Sequence, residues 1–269
     1  MATRLTRSRS VSLRLDWLTI ALLLGGVLLV YYLAPMLSLF LSVPPETVVS
    51  RMGDATVRNA ALTSLTAAVV STVVATVFGL PLAYWLARTA TAWKNLVLAV
   101  VVLPLVLPPT VGGVVLLTLF GPTTILGDSA AAAGVPLTRS LAGVVLAQTF
   151  VASPFVVVTA KAAFEAIDPT LEYASRTMGK GRWTTAWRVT LPLAAPGILA
   201  GVTLAFARAM GEFGATMMMA YYPRTMPVQI WVSFISLGLD NAYPVAILLV
   251  VISVVALAIL NTVAANPWE

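Results

Sequence analysis

Residues 243–264 read YPVAILLVVISVVALAILNTVA, a run of 22 residues without a charge. At the helical rise such a run reaches about 33 Å, enough to cross a hydrocarbon core about 30 Å thick. It shows no alternation of apolar and polar residues, which separates it from a barrel strand. Five further stretches share this character, at 15–41, 59–87, 96–120, 141–160 and 197–222. The sequence therefore predicts an all-α, polytopic membrane protein with about six transmembrane helices. A short polar segment over 1–14 precedes one transmembrane domain over 15–269.

Composition points the same way. Of 269 residues, 59% are hydrophobic and 10% charged, and the mean hydropathy is +0.96. A soluble domain carries about 25% charged residues, so this chain could not cover a water-facing surface with the charges it has. Cysteine and histidine are both absent. Disulfides and thiolate sites are excluded, and the commonest general base and metal ligand is missing. No bound metal is expected, and a membrane enzyme would have little catalytic material. The net charge of +6 comes from residues that flank apolar runs, which suits a lipid membrane and not a nucleic-acid partner.

The first apolar stretch follows Arg4, Arg7, Arg9 and Arg14. It is too long for the apolar part of a signal peptide, and no convincing small-residue cleavage site follows it, so it reads as an uncleaved transmembrane helix. Basic residues then set the orientation. With the N-terminus inside, the inner segments hold 11 Lys and Arg, from Arg4 to Arg188, against Arg51, Arg58, Arg139 and Arg224 outside. Both termini are expected in the cytoplasm.

One loop, at about 161–192, is polar and dense in charge. Asp168 is placed to cap a helix whose first residue is Pro169. Leu171, Ala174 and Met178 recur at helical spacing, and Gly179 and Gly181 supply a stop. A second short helix is expected from Arg182, with Trp183, Trp187 and Leu191 on one face and Pro192 interrupting it. Such helices form either a docking surface for a partner or an interfacial patch on lipid headgroups; the residues alone leave both open.

The run Leu171-Glu172-Tyr173-Ala174-Ser175-Arg176-Thr177-Met178-Gly179, followed by Val189-Thr190-Leu191-Pro192, resembles the EAA loop of ABC importer permeases. That motif reads Glu-Ala-Ala, three residues, Gly, nine residues, an aliphatic residue, any residue, Leu-Pro. Ala174, Gly179, Val189, Leu191 and Pro192 fit its spacing. Tyr173 stands where the motif has Glu, and Ser175 replaces the second Ala. Glu172 falls one residue early, so the motif's Glu is not transferred to it. The segments Leu103–Gly113 and Leu204–Thr216 resemble molybdate and tungstate permeases, a family related to sulfate permeases.

The resemblance implies a transmembrane permease at the cell membrane that works as a homodimer. A dimer of cytoplasmic ABC ATPase subunits would receive the coupling loop through Tyr173, Ala174, Ser175, Gly179, Val189, Leu191 and Pro192. An extracytoplasmic binding protein would deliver the oxyanion. The chain has no phosphate-binding Gly-Lys-Ser/Thr loop, so ATP and Mg are expected on the partner and no cofactor on this chain. Gly179 is expected to let the chain turn sharply, with positive φ.

Arg208 and Glu212 are the only charges deep in a predicted span. Four residues apart, they can pair; they are expected either to shape the anion pathway or to form a structural ion pair. Pro108, Pro109 and Thr110 mark a kink, either on the pathway or simply tolerated by packing. Met217, Met218 and Met219 read as packing, since consecutive residues do not share a helix face. Within the class, sulfate or thiosulfate is the nearest alternative cargo. An ion-coupled carrier is the alternative of another class; it is disfavoured because the Arg208–Glu212 segment has no second copy.

Overall fold

The computed structural model describes residues 17–265. The segment 1–14, with its four arginines, lies outside the described residues. The described chain forms two units, divided at Pro44. The first contains α1 (Trp17–Leu41), an apolar helix of 25 residues long enough to cross a membrane.

The second unit, from Pro45, is a helical bundle. Its helices are α2 (Pro45–Met52), α3 (Ala55–Arg88), α4 (Lys94–Val106), α5 (Pro109–Phe120), α6 (Ile125–Ala132) and α7 (Leu141–Glu165). They continue with α8 (Pro169–Thr177), α9 (Arg182–Thr185), α10 (Leu191–Met210), α11 (Gly214–Met219), α12 (Met226–Leu237) and α13 (Leu239–Ala265). Helices satisfy every backbone polar group internally, as lipid requires. Five helical stretches across the two units have the length and composition of a span, and the pair α4–α5 makes a sixth if counted as one broken span.

α3, α7 and α10 form the centre of the bundle. Their contact faces set small residues, Ala68, Ala75 and Ala83 on α3, Ala152 and Ala160 on α7, and Ala205 and Ala209 on α10, among larger ones such as Val156, Phe206 and Met210, all buried. Lipid tails are as apolar as leucine, so close approach and dispersion hold such helices together. At Gly201 even one added methyl would run into the Thr159 hydroxyl, so α10 can lie against α7 only with glycine there. Buried polar groups add ties. The Ser71 hydroxyl donates to Gln148 Oε1 at 3.3 Å across α3–α7, and the Met226 amide at the start of α12 donates to Ser64 Oγ at 2.7 Å.

Two expected spans differ in detail. The stretch 96–120 is no single helix: α4 and α5 are bent by 118° at the break. Pro108 and Pro109 lack N–H groups, so the ladder stops at Leu107, whose N–H is the last to bond within α4. α5 then starts with Pro109 as its first residue, where a missing donor costs nothing. The stretch 197–222 also ends sooner and begins earlier. α10 stops at Met210, and 214–219 is a separate short helix. At its other end, Pro192 does not interrupt the chain. A π turn at Ala186–Thr190 joins α9 to α10, and the Leu191 N–H reaches back five residues to the Ala186 carbonyl. The widened turn accommodates the proline, so helix continues from Arg182 to Met210.

Candidate functional site

The loop between α7 and α10 carries the motif residues. The Asp168 carboxylate accepts the Thr170 amide at 2.9 Å, and Pro169 opens α8. That hydrogen bond holds the Asp168 carboxyl below the usual carboxylate range. Gly179 ends the helix with φ +79°. A Cβ built there would meet nothing within 4 Å, so crowding is not what requires glycine. The backbone conformation is, since L-residues with a side chain rarely adopt it.

α8 is amphipathic with its apolar side turned outward. Leu171, Tyr173, Ala174 and Met178 are exposed, while Glu172 is the one buried residue of the helix. α9 and the π turn after it pack on α8 and carry Trp183 and Trp187, both exposed, with their rings edge to face at 5.9 Å. Ser175 points the other way and meets the Thr185 hydroxyl at 3.0 Å, fastening α8 to α9. Its small size therefore serves contact within the chain. Leu191 is half-buried and packs against the cluster of Phe164, Ala194 and Ile198, and Val189 and Pro192 are half-buried as well. The motif thus divides into an exposed part, Tyr173 and Ala174, and a part that anchors the loop, Ser175, Val189, Leu191 and Pro192. The π turn rotates Leu191 inward, off the face of the two tryptophans.

Glu172, which falls outside the motif's spacing, is 3% exposed. Its Oε1 accepts Arg88 Nε at 3.0 Å, Arg88 Nη2 at 2.7 Å and Thr190 Oγ1 at 3.2 Å. Its Oε2 accepts the Tyr84 hydroxyl at 3.2 Å and Arg176 Nη2 at 3.4 Å. The readable signal was a carboxylate opposite the apolar stripe of α8, facing the side that must rest on the protein.

Arg208 and Glu212 come together, but not one turn apart on one helix. Arg208 lies in the last turn of α10, and Glu212 lies in the turn beyond its end. The Arg208 side chain is 27% exposed and that of Glu212 0%. At the helical rise Arg208 is about 25 Å from Leu191, nearer the far end of α10 than its middle. Glu212 Oε1 accepts the Ala215 amide at 2.7 Å and so fixes the start of α11. A Cβ at the neighbouring Gly214 would sit 3.0 Å from Pro109 Cβ. The break before α5, whose residues Pro108, Pro109 and Thr110 are exposed, is thereby held close to α11. Met219 is buried and Met218 exposed, as expected for residues pointing in different directions. Among the described residues, no group of three or more acidic side chains could hold a metal ion.

A family model described as the inner membrane component of binding-protein-dependent transport systems matches residues 75–266. A probable molybdenum ABC transporter permease protein of Haloferax volcanii is 56% identical over 253 residues, covering 94% of this chain and 93% of that protein. The molybdate/tungstate transport system permease protein WtpB of Thermococcus kodakarensis is 35% identical over 240 residues, covering 88% and 92%. Among solved structures, a bacterial ABC transporter that imports the acidic polysaccharide alginate superposes with TM-score 0.74 at 18% identity, covering 94% of this chain and 97% of that one. The MetNI methionine ABC transporter gives 0.60 at 20% identity, covering 77% and 94%. At these identities the two structures speak for the fold alone.

Proposed function

The chain belongs to the family of inner membrane components of binding-protein-dependent transport systems, and on that premise we propose that it is the membrane-spanning permease subunit of an ATP-driven importer for molybdate and tungstate. It is a transport component and not an enzyme. The cargo rests on the relatives from Haloferax volcanii and Thermococcus kodakarensis, whose names specify molybdenum and molybdate/tungstate.

The observation that carries the coupling role is the inverted amphipathicity of the loop. A helix that shows Leu171, Tyr173, Ala174 and Met178 to the outside, beside two exposed tryptophans, is built to be covered. In our reading a cytoplasmic ATPase covers it, one to each permease of a homodimer. ATP and Mg reside on that ATPase, and an extracytoplasmic binding protein selects the anion. Closure of the ATPase dimer moves the loops, and the bundles rock between access states.

Both termini are then cytoplasmic, on the side where basic residues concentrate. Arg208 is the member of its pair left to meet an anion, because Glu212 is fully buried and spends both oxygens on the protein. An acid lining the pathway would repel an oxyanion, whereas the Glu212 carboxylate is 0% exposed.

The test is uptake. Permease reconstituted with its ATPase and binding protein should accumulate labelled molybdate only with ATP, and tungstate should compete better than sulfate. Uptake driven by an ion gradient without ATP would refute the proposal. Impermeant thiol labelling of single cysteines in intact cells checks the orientation, with position 128 expected to react and position 180 not.

A further inference from the structure

α8 touches the bundle through very little apolar surface, since its apolar residues face outward and Glu172 is its only buried residue. What joins it to the spans is the carboxylate of that residue. Arg88, in the last turn of α3, holds Glu172 Oε1 through two nitrogens and also reaches the Ile167 carbonyl at 3.4 Å. Both nitrogens make charge-assisted hydrogen bonds that converge on one oxygen, which strengthens the contact and leaves Oε2 to other partners. Tyr84, one turn earlier on α3, donates to the other oxygen, and its ring packs edge to face on Phe164 of α7 at 5.4 Å. Thr190 ties the same carboxylate to the π turn that leads into α10. One buried side chain thus gathers α3, α8 and the root of α10, and is linked through Tyr84 to α7.

We propose that Glu172 is a positioning residue for transport, a joint through which displacement of α8 is passed to α3 and α10. This rests on the reading that the loop docks an ATPase. Leu171 and Ala174 on α8, and Trp183 and Trp187 beyond it, make none of the contacts to the Glu172 carboxylate, so the joint can be altered while they stay in place. With the joint loosened, the ATPase still finds Tyr173, Trp183 and Trp187, but its movement is absorbed by a loop free to shift against the spans.

The experiment measures labelled molybdate taken up per ATP hydrolysed by the complete importer in liposomes. Glu172→Gln, close in shape but uncharged, should retain the ATPase on purification and still hydrolyse ATP, with uptake per ATP reduced at least about fivefold. Tyr84→Phe, which removes one contact and leaves no charge unpaired, should lower the ratio in the same direction by less. The double variant Glu172→Gln/Arg88→Gln, free of an unpaired buried charge, should also lose coupling and serves if the single variant fails to accumulate. An unchanged ratio would overturn the proposal. So would a fall in hydrolysis and uptake in step with loss of ATPase from the complex, or failure of both the single and double Glu172 variants to reach the membrane. Native permease that retains no ATPase would instead refute the docking reading, with the joint not at issue.

Discussion

Arg208 and Glu212 meet across the turn that ends α10, with Arg208 Nη1 2.6 Å from Glu212 Oε2, and Glu212 gives its second oxygen to the Ala215 amide. The pair therefore does two jobs of different kinds. Glu212 sets the start of α11, and Arg208 neutralises the buried carboxylate while keeping part of its own surface accessible.

Arg208→Gln should consequently be the most damaging single change at this pair. It leaves Glu212 buried and charged, and breaking a buried pair costs roughly 3–5 kcal/mol. Glu212→Gln should be milder for folding, because its amide oxygen can still accept the Ala215 N–H and Arg208 retains some solvation. Thermal unfolding of the detergent-solubilised permease should rank native above Glu212→Gln and that above Arg208→Gln. The double Gln variant should recover stability relative to Arg208→Gln. If the recovered double variant still fails to carry molybdate, Arg208 acts on the anion itself.

Gly179 separates backbone strain from crowding. Because the space around its Cβ is open and φ is +79°, Gly179→Asn should be tolerated, as asparagine enters the left-handed region readily. Gly179→Ala should cost about 1 kcal/mol and Gly179→Val more. All three variants should reach the membrane. Co-purified ATPase and molybdate uptake should decline together in the order Asn, Ala, Val. A Val variant with full ATPase retention would remove this glycine from the docking role.

The tryptophan pair distinguishes a protein partner from lipid. Trp183→Ala and Trp187→Ala disturb exposed rings and should leave the unfolding temperature of the permease unchanged. As interface anchors they should each weaken ATPase binding by about 2 kcal/mol, roughly thirtyfold in Kd. Full ATPase retention, with weakened binding of an isolated loop peptide to anionic vesicles, would assign the face to headgroups.

Glu165, at the end of α7, accepts Lys161 Nζ at 2.6 Å and Lys94 Nζ at 3.1 Å, tying α7 to the start of α4. Glu165→Gln should lower the unfolding temperature of the detergent-solubilised permease only slightly, and less at high salt, since solvent and ions screen a carboxylate 38% exposed. A loss as large as that of Arg208→Gln would show that this contact is more than a surface ion pair.

How much of this was legible depended on whether the deciding interactions were local. The runs 141–160 and 243–264 read as spans, and the structure has α7 and α13 there, because run length against membrane thickness is all that decides. The cap at Asp168 and the turn at Gly179 were legible because each is settled within a few residues. Composition carries no direction, so the bend between α4 and α5 was visible only as a kink at Pro108 and Pro109. The start of α10 was misplaced because proline normally ends a helix, and the π turn that accommodates Pro192 has no simple sequence mark. Nothing local marks Glu172, since its partners Arg88 and Tyr84 lie 84 and 88 residues away. The motif's spacing could not supply what only the folded bundle brings together.

The alanine and glycine faces where α3, α7 and α10 meet carry a thermodynamic consequence. Ordering a leucine or isoleucine side chain forfeits about 0.5–1 kcal/mol of rotational freedom, while alanine and glycine have none to lose. In lipid there is no release of water to offset such a loss. At Ala68, Ala75, Ala152 and Ala205 the three helices therefore meet with no side-chain freedom to lose, which leaves that cost to the few larger residues beside them, Val156, Phe206 and Met210. Substituting leucine at those alanines would be unfavourable twice over, by holding the helices apart and by introducing disorder that association must then remove.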